Sequence, residues 1–306
     1  MRTWATLQDS YDNYFFIADL HALTIPEAVR PDALRQRTRE IPALYIASGI
    51  DPARSTIFLQ SHVPAHAVLA WIFDCLTPVG WLARMTQYKS KSQSSSPSAG
   101  LFTYPCLQAS DILLYQPRFV PVGEDQRQHI EITRDIAERF NAMFGELFTI
   151  PDPWIPTDGA RIMGLDDPTE KMSKSTAEVR SGHAIGLLDP LETIRKSILR
   201  AVTDSRTAVD REDLSPAVNN LLTLYQVLSD STRDQTLERF HGKGYGVLKR
   251  ELADVASEVI GSIQGRFKEI TADPAYIDGV LADGARRAAA VADVTLDRAK
   301  RLIGLT

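Results

Sequence analysis

Cysteine is nearly absent from this chain. Only Cys75 and Cys106 occur among 306 residues, and no CxxC pair exists. That excludes a disulfide framework and a cysteine-based zinc or iron–sulfur site, and two lone thiols fit a reducing compartment. Long apolar runs are missing too: none approaches the ~20 residues that a membrane span requires. No secretory signal is visible at the start, so the expected location is cytoplasmic. Positive charge is not in excess, with 34 Lys and Arg against 39 Asp and Glu and a net charge of −5. This argues against a generally basic nucleic-acid binder but leaves room for a local basic patch. Gly242, Gly244 and Gly246 do not form GxGxxG after a strand and read as a helix–helix connection. No internal repeat is present. What remains is ordinary for a soluble globular protein, 44% hydrophobic and 24% charged. The length suffices for two domains and a sizeable core.

The most informative stretch is 159–175, GARIMGLDDPTEKMSKS. Asp166, Asp167 and Pro168 are turn chemistry. Lys171 and Lys174 then stand three apart in a short polar tract. Flexible lysines act as point charges that can follow a phosphate as it moves, which suits a polyphosphate leaving group. A bare KxxK is more often a solvated surface loop; the whole pentapeptide KMSKS is far more specific.

Upstream, the pattern is α/β. Trp4, Leu7 and Tyr11 share one side of an opening amphipathic helix. Residues 14–18 read as a buried parallel strand ending at Asp19-Leu20-His21. Ligands in open α/β sheets sit at the carboxyl ends of strands, so His21 is placed to face a site, although a lone His is more often a packed or surface residue. A helix is expected over 31–48, kinked or split at Pro42, then a strand over 55–60 and a helix over 64–76. His62 and His66 are four apart, but Pro64 lies between them and no third ligand is near, so no metal site is expected. The Ser-rich stretch 88–100 carries Lys89 and Lys91 and reads as a flexible loop, either a solvated linker or a lid over phosphates.

A helix is expected from Pro105 to Tyr115. Tyr104, Gln108 and Asp111 share one face at i, i+4, i+7 spacing. A carboxylate among Leu107, Ile112, Leu113 and Leu114 is costly to bury without a partner. Asp111 therefore reads either as an acceptor for a ligand's hydrogen-bond donor in an apolar pocket or as a surface residue. Residues 118–122 form a third strand with Val120 and Val122 on one face. Gly123 ends it, and Glu124-Asp125-Gln126 opens a helix to about Phe144 with acids at its positive end. From about Asp189 the chain is nearly all helix, over 189–202, 215–229, 231–241, 245–267 and 274–302. Arg286, Arg287, Arg298, Lys300 and Arg301 read as a solvated helix face that can also meet RNA phosphate.

Five segments together resemble the bacterial-type tryptophanyl-tRNA synthetases, a branch of the class I aminoacyl-tRNA synthetases: 14–24 (YFFIADLHALT), 101–115 (LFTYPCLQASDILLY), 122–141 (VGEDQRQHIEITRDIAERFN), 159–175 and 242–247 (GKGYGV). The resemblance implies an α/β fold: a Rossmann-type parallel-sheet catalytic domain over 1–185 with a connective insertion about 80–145. An all-helical anticodon-binding domain over 186–306 follows, its last helix packing back on the first domain. It implies a homodimer that binds L-tryptophan, Mg2+·ATP and tRNA(Trp). Tryptophan attacks the α-phosphate to give tryptophanyl-adenylate and pyrophosphate, and the aminoacyl group then moves to the tRNA; the protein supplies position and electrostatics.

By the same resemblance Lys171 and Lys174 hold the leaving pyrophosphate, with Met172, Ser173, Ser175, Gly123, Asp125 and Ile162 also against ATP. Lys89 or Lys91 adds a phosphate contact. Asp111 accepts the indole N–H, Tyr104 and Gln126 hold the ammonium end, Val120 and Val122 wall the indole slot, and His21 lies nearby. Gln108 stands where the family often has Met and makes the pocket more polar. The family's first strand and glycine-rich HIGH-type turn have no counterpart here. An internal methionine start is the expectation, with an unpaired gap inside the sheet. Two alternatives stay open, a tyrosine-activating homologue and a non-catalytic tRNA-binding paralogue.

Overall fold

The computed structural model describes residues 2–91, 97–155 and 161–305, without the side chains of residues 2, 3, 91, 174 and 175. By internal contacts the chain divides into two units, Met1–Pro156 with Glu269–Thr306, and Thr157–Lys268.

In chain order the first unit contains α1 (Arg2–Leu7), β1 (Asn13–Ile17), α2 (Pro31–Ala47), β2 (Ser55–Leu59), α3 (Ala65–Leu76), α4 (Val79–Ala83), α5 (Thr86–Lys91), α6 (Ala99–Leu113), β3 (Phe119–Pro121), α7 (Arg127–Phe144) and β4 (Asp152–Trp154). β1 and β2 pair in parallel, with Phe15 opposite Ile57. Every β2 residue is buried, as a parallel strand covered on both faces requires. β3 and β4 form a second parallel pair, with Val120 opposite Pro153. The two pairs do not join. A cavity of about 560 Å³ lies between them, lined among others by Tyr14, Phe16, Tyr45, Ile112, Tyr115 and Val120. Among the described residues β1 pairs only with β2, and β3 only with β4.

The last helix, α13 (Pro274–Ile303), returns to this unit and lies across β2. It comes very close: a Cβ on Gly284 would stand 1.8 Å from the Ile57 carbonyl oxygen. Ala288 and Ala292, one and two turns on, are fully buried in the same contact. Arg287 Nη2 donates to the carbonyls of Pro52 (2.7 Å) and Ser55 (3.0 Å). Arg287 is therefore a helix-to-sheet tie and not part of a solvated face; carbonyls at the start of a strand offered it acceptors that helix periodicity does not reveal.

Other local expectations also change. α2 runs unbroken through Pro42. The missing N–H costs one helical hydrogen bond, while Pro42, Ala43 and Ala47 are all buried. α6 starts at Ala99, where the Ser98 side chain caps the Leu101 N–H at 3.0 Å, so Pro105 sits inside the helix. Of the loop expected over 88–100, residues 88–91 belong to α5, where Tyr88 packs edge-on against Phe102, and 99–100 open α6, while 92–96 lie outside the described residues. Tyr11 lies outside α1, half exposed. β4 was not expected at all, being only the three residues Asp152-Pro153-Trp154.

The second unit is helical: α8 (Lys174–Val179), α9 (Leu191–Arg200), α10 (Pro216–Ser229), α11 (Arg233–Phe240) and most of α12 (Tyr245–Thr271). Its core joins Ile194, Ile198, Leu221, Leu222, Leu248 and Leu252. Sequence caps mark the ends. Ser215 caps α10, and Thr232 with Gln235 forms a capping box on α11. Gly242 adopts φ +74, where its N–H reaches the Val209 carbonyl at 2.8 Å.

Candidate active site

Asp111 is the centre of the first unit's polar chemistry. It sits on α6 with 2% exposure, and three side chains from other elements point at it. Gln60 Nε2, just past β2, donates to Oδ1 at 2.7 Å. His66 Nδ1, on α3, donates to the same oxygen at 2.6 Å, and His21 Nε2, past β1, donates to Oδ2 at 2.8 Å. Burial alone would raise the carboxyl's pKa; the hydrogen bonds and charges of His21 and His66 outweigh it and hold the group below the ordinary carboxylate value. Asp111 is thus a buried anion with its donors fixed. Behind His66, the Tyr115 O–H lies 2.8 Å from Nε2, and burial pushes the phenol far above its usual value.

A cavity of about 330 Å³ opens from this anion. Its lining brings together Asp111, His21, Tyr104, Gln108 and Gln126, with Phe16, Ala18 and Leu101 as apolar wall. Tyr104, Gln108 and Asp111 do share one helix face, as their spacing predicts. Tyr104 O–H is paired with His129 Nε2 at 2.6 Å, and burial pushes its phenol up to about 12. Gln126 closes the turn before α7, its Nε2 donating to Asp125 Oδ2 at 3.2 Å. The arrangement suits a flat apolar ligand carrying one N–H donor and a cationic end.

The remaining residues singled out in the sequence are spread more widely. Val120 lines the larger cavity between the strand pairs, which Asp111 also borders. Val122 lines neither cavity; its N–H donates to the Trp154 carbonyl at 3.0 Å. Gly123 and Asp125 are exposed at the strand-to-helix turn. Lys89 is exposed on α5, two residues from Gln87, which does line the smaller cavity. The Lys91 and Lys174 side chains, and that of Ser175, lie outside the described residues.

Gln60, His66, Tyr115, His129 and Gln87 were missed as site residues. The rule that placed His21 at a strand's carboxyl end applies equally to Gln60 after β2. Among the described residues no cluster of three or more metal-ligating side chains occurs, and His66 is turned to Asp111 instead.

In the second unit the signature loop is a short hairpin. Met163 and Lys171 form an antiparallel bridge, and Met172 N–H donates to the Ile162 carbonyl at 3.0 Å. Ser173 then caps α8, accepting from the Thr176 N–H. Lys171 and Met172 are thereby fixed at the backbone. Among the described residues no helix is long and apolar enough to cross a membrane.

A parallel α/β unit with a polar pocket at its strand ends, in a chain that carries a KMSKS loop, defines a nucleotide-dependent synthetase of class I. Residues 1–261 match the family model of class I tRNA synthetases (W and Y), and the chain belongs to that family. It is 48% identical over 307 aligned residues to a tryptophan–tRNA ligase of Caldanaerobacter subterraneus subsp. tengcongensis, covering 100% of this chain and 92% of that one. The crystal structure of tryptophanyl-tRNA synthetase from Mycoplasma pneumoniae superposes with a TM-score of 0.89 at 33% identity, covering 100% of this chain and 92% of that one. The Campylobacter jejuni enzyme complexed with ADP and tryptophan gives 0.82 at 32% identity, covering 99% and 93%.

Proposed function

We propose that the chain is a tryptophan–tRNA ligase. It activates L-tryptophan with ATP to tryptophanyl-adenylate and pyrophosphate, then transfers tryptophan to tRNA(Trp). The observation that carries this reading is the buried, ionised Asp111 at the base of a partly apolar cavity. An indole offers one N–H donor and a broad apolar face, and an anionic acceptor beside Phe16 and Leu101 is its complement. A phenol wants a donor as well as an acceptor and fits less well.

Tyr104 and Gln126 would hold the ammonium end. Lys171 and Lys174 would neutralise charge on the departing pyrophosphate, with Lys89 or Lys91 as a further phosphate contact. Mg2+ enters as part of the Mg·ATP substrate, held by phosphate oxygens and water, which the ion prefers to an all-protein cage. The catalytic domain would span 1–185 and the anticodon-binding domain 186–306, in a cytoplasmic homodimer.

The test is amino-acid-dependent ATP–pyrophosphate exchange, run on this chain and on a version extended through the upstream reading frame. Exchange with tryptophan and not tyrosine in either version supports the ligase. Exchange with tyrosine would mean the tyrosine-activating alternative. A folded protein in both versions that binds tryptophan but exchanges with neither amino acid would leave the non-catalytic paralogue.

A further inference from the structure

His183 plays no part in the chemistry proposed above, yet it is fully buried directly behind the signature loop. Its two ring nitrogens face two acceptors. Nδ1 lies 2.6 Å from Asp166 Oδ1, and Nε2 lies 3.1 Å from the backbone carbonyl of Lys171. A carbonyl has no proton to give. Asp166 is an anion, because Arg180 donates to its Oδ2 from both Nε (3.0 Å) and Nη2 (2.8 Å). Both ring nitrogens must therefore be donors, and a histidine can do that only as an imidazolium. The surroundings are shaped to this ring: a Cβ on Gly164 would stand 2.3 Å from His183 Cε1 and 2.5 Å from Nδ1.

We propose that His183 is a positioning residue for the signature loop: as an imidazolium it ties the Lys171 carbonyl to the Asp166–Arg180 pair, and loss of its proton releases that tie. The consequence for ATP rests on the function proposed above; the tie itself does not. The charged groups around it are the carboxylates of Asp166, Asp167 and Glu170 and the guanidinium of Arg180, which pairs with Asp166 and Glu170 and comes within 3.8 Å of Asp167. Burial pushes the imidazole down, but the Lys171 carbonyl and Asp166 more than reverse this and hold it above its ordinary value. A raised histidine pKa fixes the sign. The tie is complete below the unfolded value and is lost as pH rises through the folded one.

The experiment is NMR on the whole chain with 15N-labelled histidine and backbone amides. The expected result is two protonated ring nitrogens at pH 7, with the Lys171 and Met172 amide shifts titrating together with His183. In His183→Gln, which keeps one donor but no charge, those amides should lose that pH dependence. KM for ATP in the exchange assay should rise about tenfold, the scale of one lost charge-assisted hydrogen bond, with KM for tryptophan unchanged. A neutral ring through pH 6–8, or amides that ignore its titration, overturns the proposal. Should His183→Gln not fold, Asp166→Asn replaces it; His183 must then lose its proton at lower pH and the amide titration must move with it, or the proposal falls. Absence of exchange in both the given and the extended chain would sink the ligase reading, while the NMR still decides the tie.

Discussion

Two glycines on the same helix should respond in opposite directions to the same substitution. A Cβ on Gly284 would lie 1.8 Å from Ile57 O and 2.6 Å from Ile57 C, whereas one on Gly279 meets nothing within 4 Å. Neither residue is at positive φ, so intrinsic helix preference favours alanine at both by about 1 kcal/mol. At Gly284 that gain is set against backbone, which cannot rotate away. α13 would have to retreat from β2 by roughly an ångström, loosening Ala288 and Ala292, at about 3 kcal/mol, the upper end for overpacking. The net for Gly284→Ala is a loss of about 2 kcal/mol, or about 4–8 °C in Tm for a unit of this size. Gly279→Ala should instead raise Tm by about 2 °C. Differential scanning calorimetry of both variants at one scan rate checks this. A Gly284→Ala protein that melts at or above the Gly279→Ala protein would refute the close approach of α13 to β2.

Asp111→Asn replaces an anionic acceptor by an amide whose NH2 must face donors from Gln60, His66 or His21. Tryptophan-dependent exchange should fall by about a hundredfold or more. Because the native Asp111 pKa is lowered, its stabilising contribution is present above the unfolded carboxyl value and is lost as pH falls through the native one. Urea unfolding between pH 6 and pH 3 should therefore show a flatter acid limb in the variant. Ser98→Ala removes the cap on Leu101 N–H and the bond from Ser98 Oγ to the Thr24 carbonyl (2.7 Å). It should cost about 1 kcal/mol by denaturant titration.

Much of the chain was legible from local pattern. Three-and-four spacing located α9 to α13, and Ser215, Pro216 and Gly304 stand at ends where capping chemistry puts them. The shared face of Tyr104, Gln108 and Asp111 followed from helical period alone. The misreadings have local causes too. Pro105 looks like a helix start because proline usually is one, and only the Ser98 cap and the packing of Leu101 carry the helix further back. β4 is too short to show a period, and its register exists only because β3 lies beside it.

The sequence by itself determined most of the longer helices, the first three strands, the polar turn that carries Lys171 and the helix face that presents Asp111. These depend on neighbours a few residues away, where period and turn chemistry act. Only the tertiary structure decided what those groups are chemically. Asp111 is a buried anion because His66, Gln60 and His21 reach it from 45, 51 and 90 residues away. His183 faces two acceptors because the loop folds back on it from Asp166 and Lys171. Charge state in a low-dielectric interior is set by which donors and acceptors converge in space, and no spacing along the chain encodes that convergence.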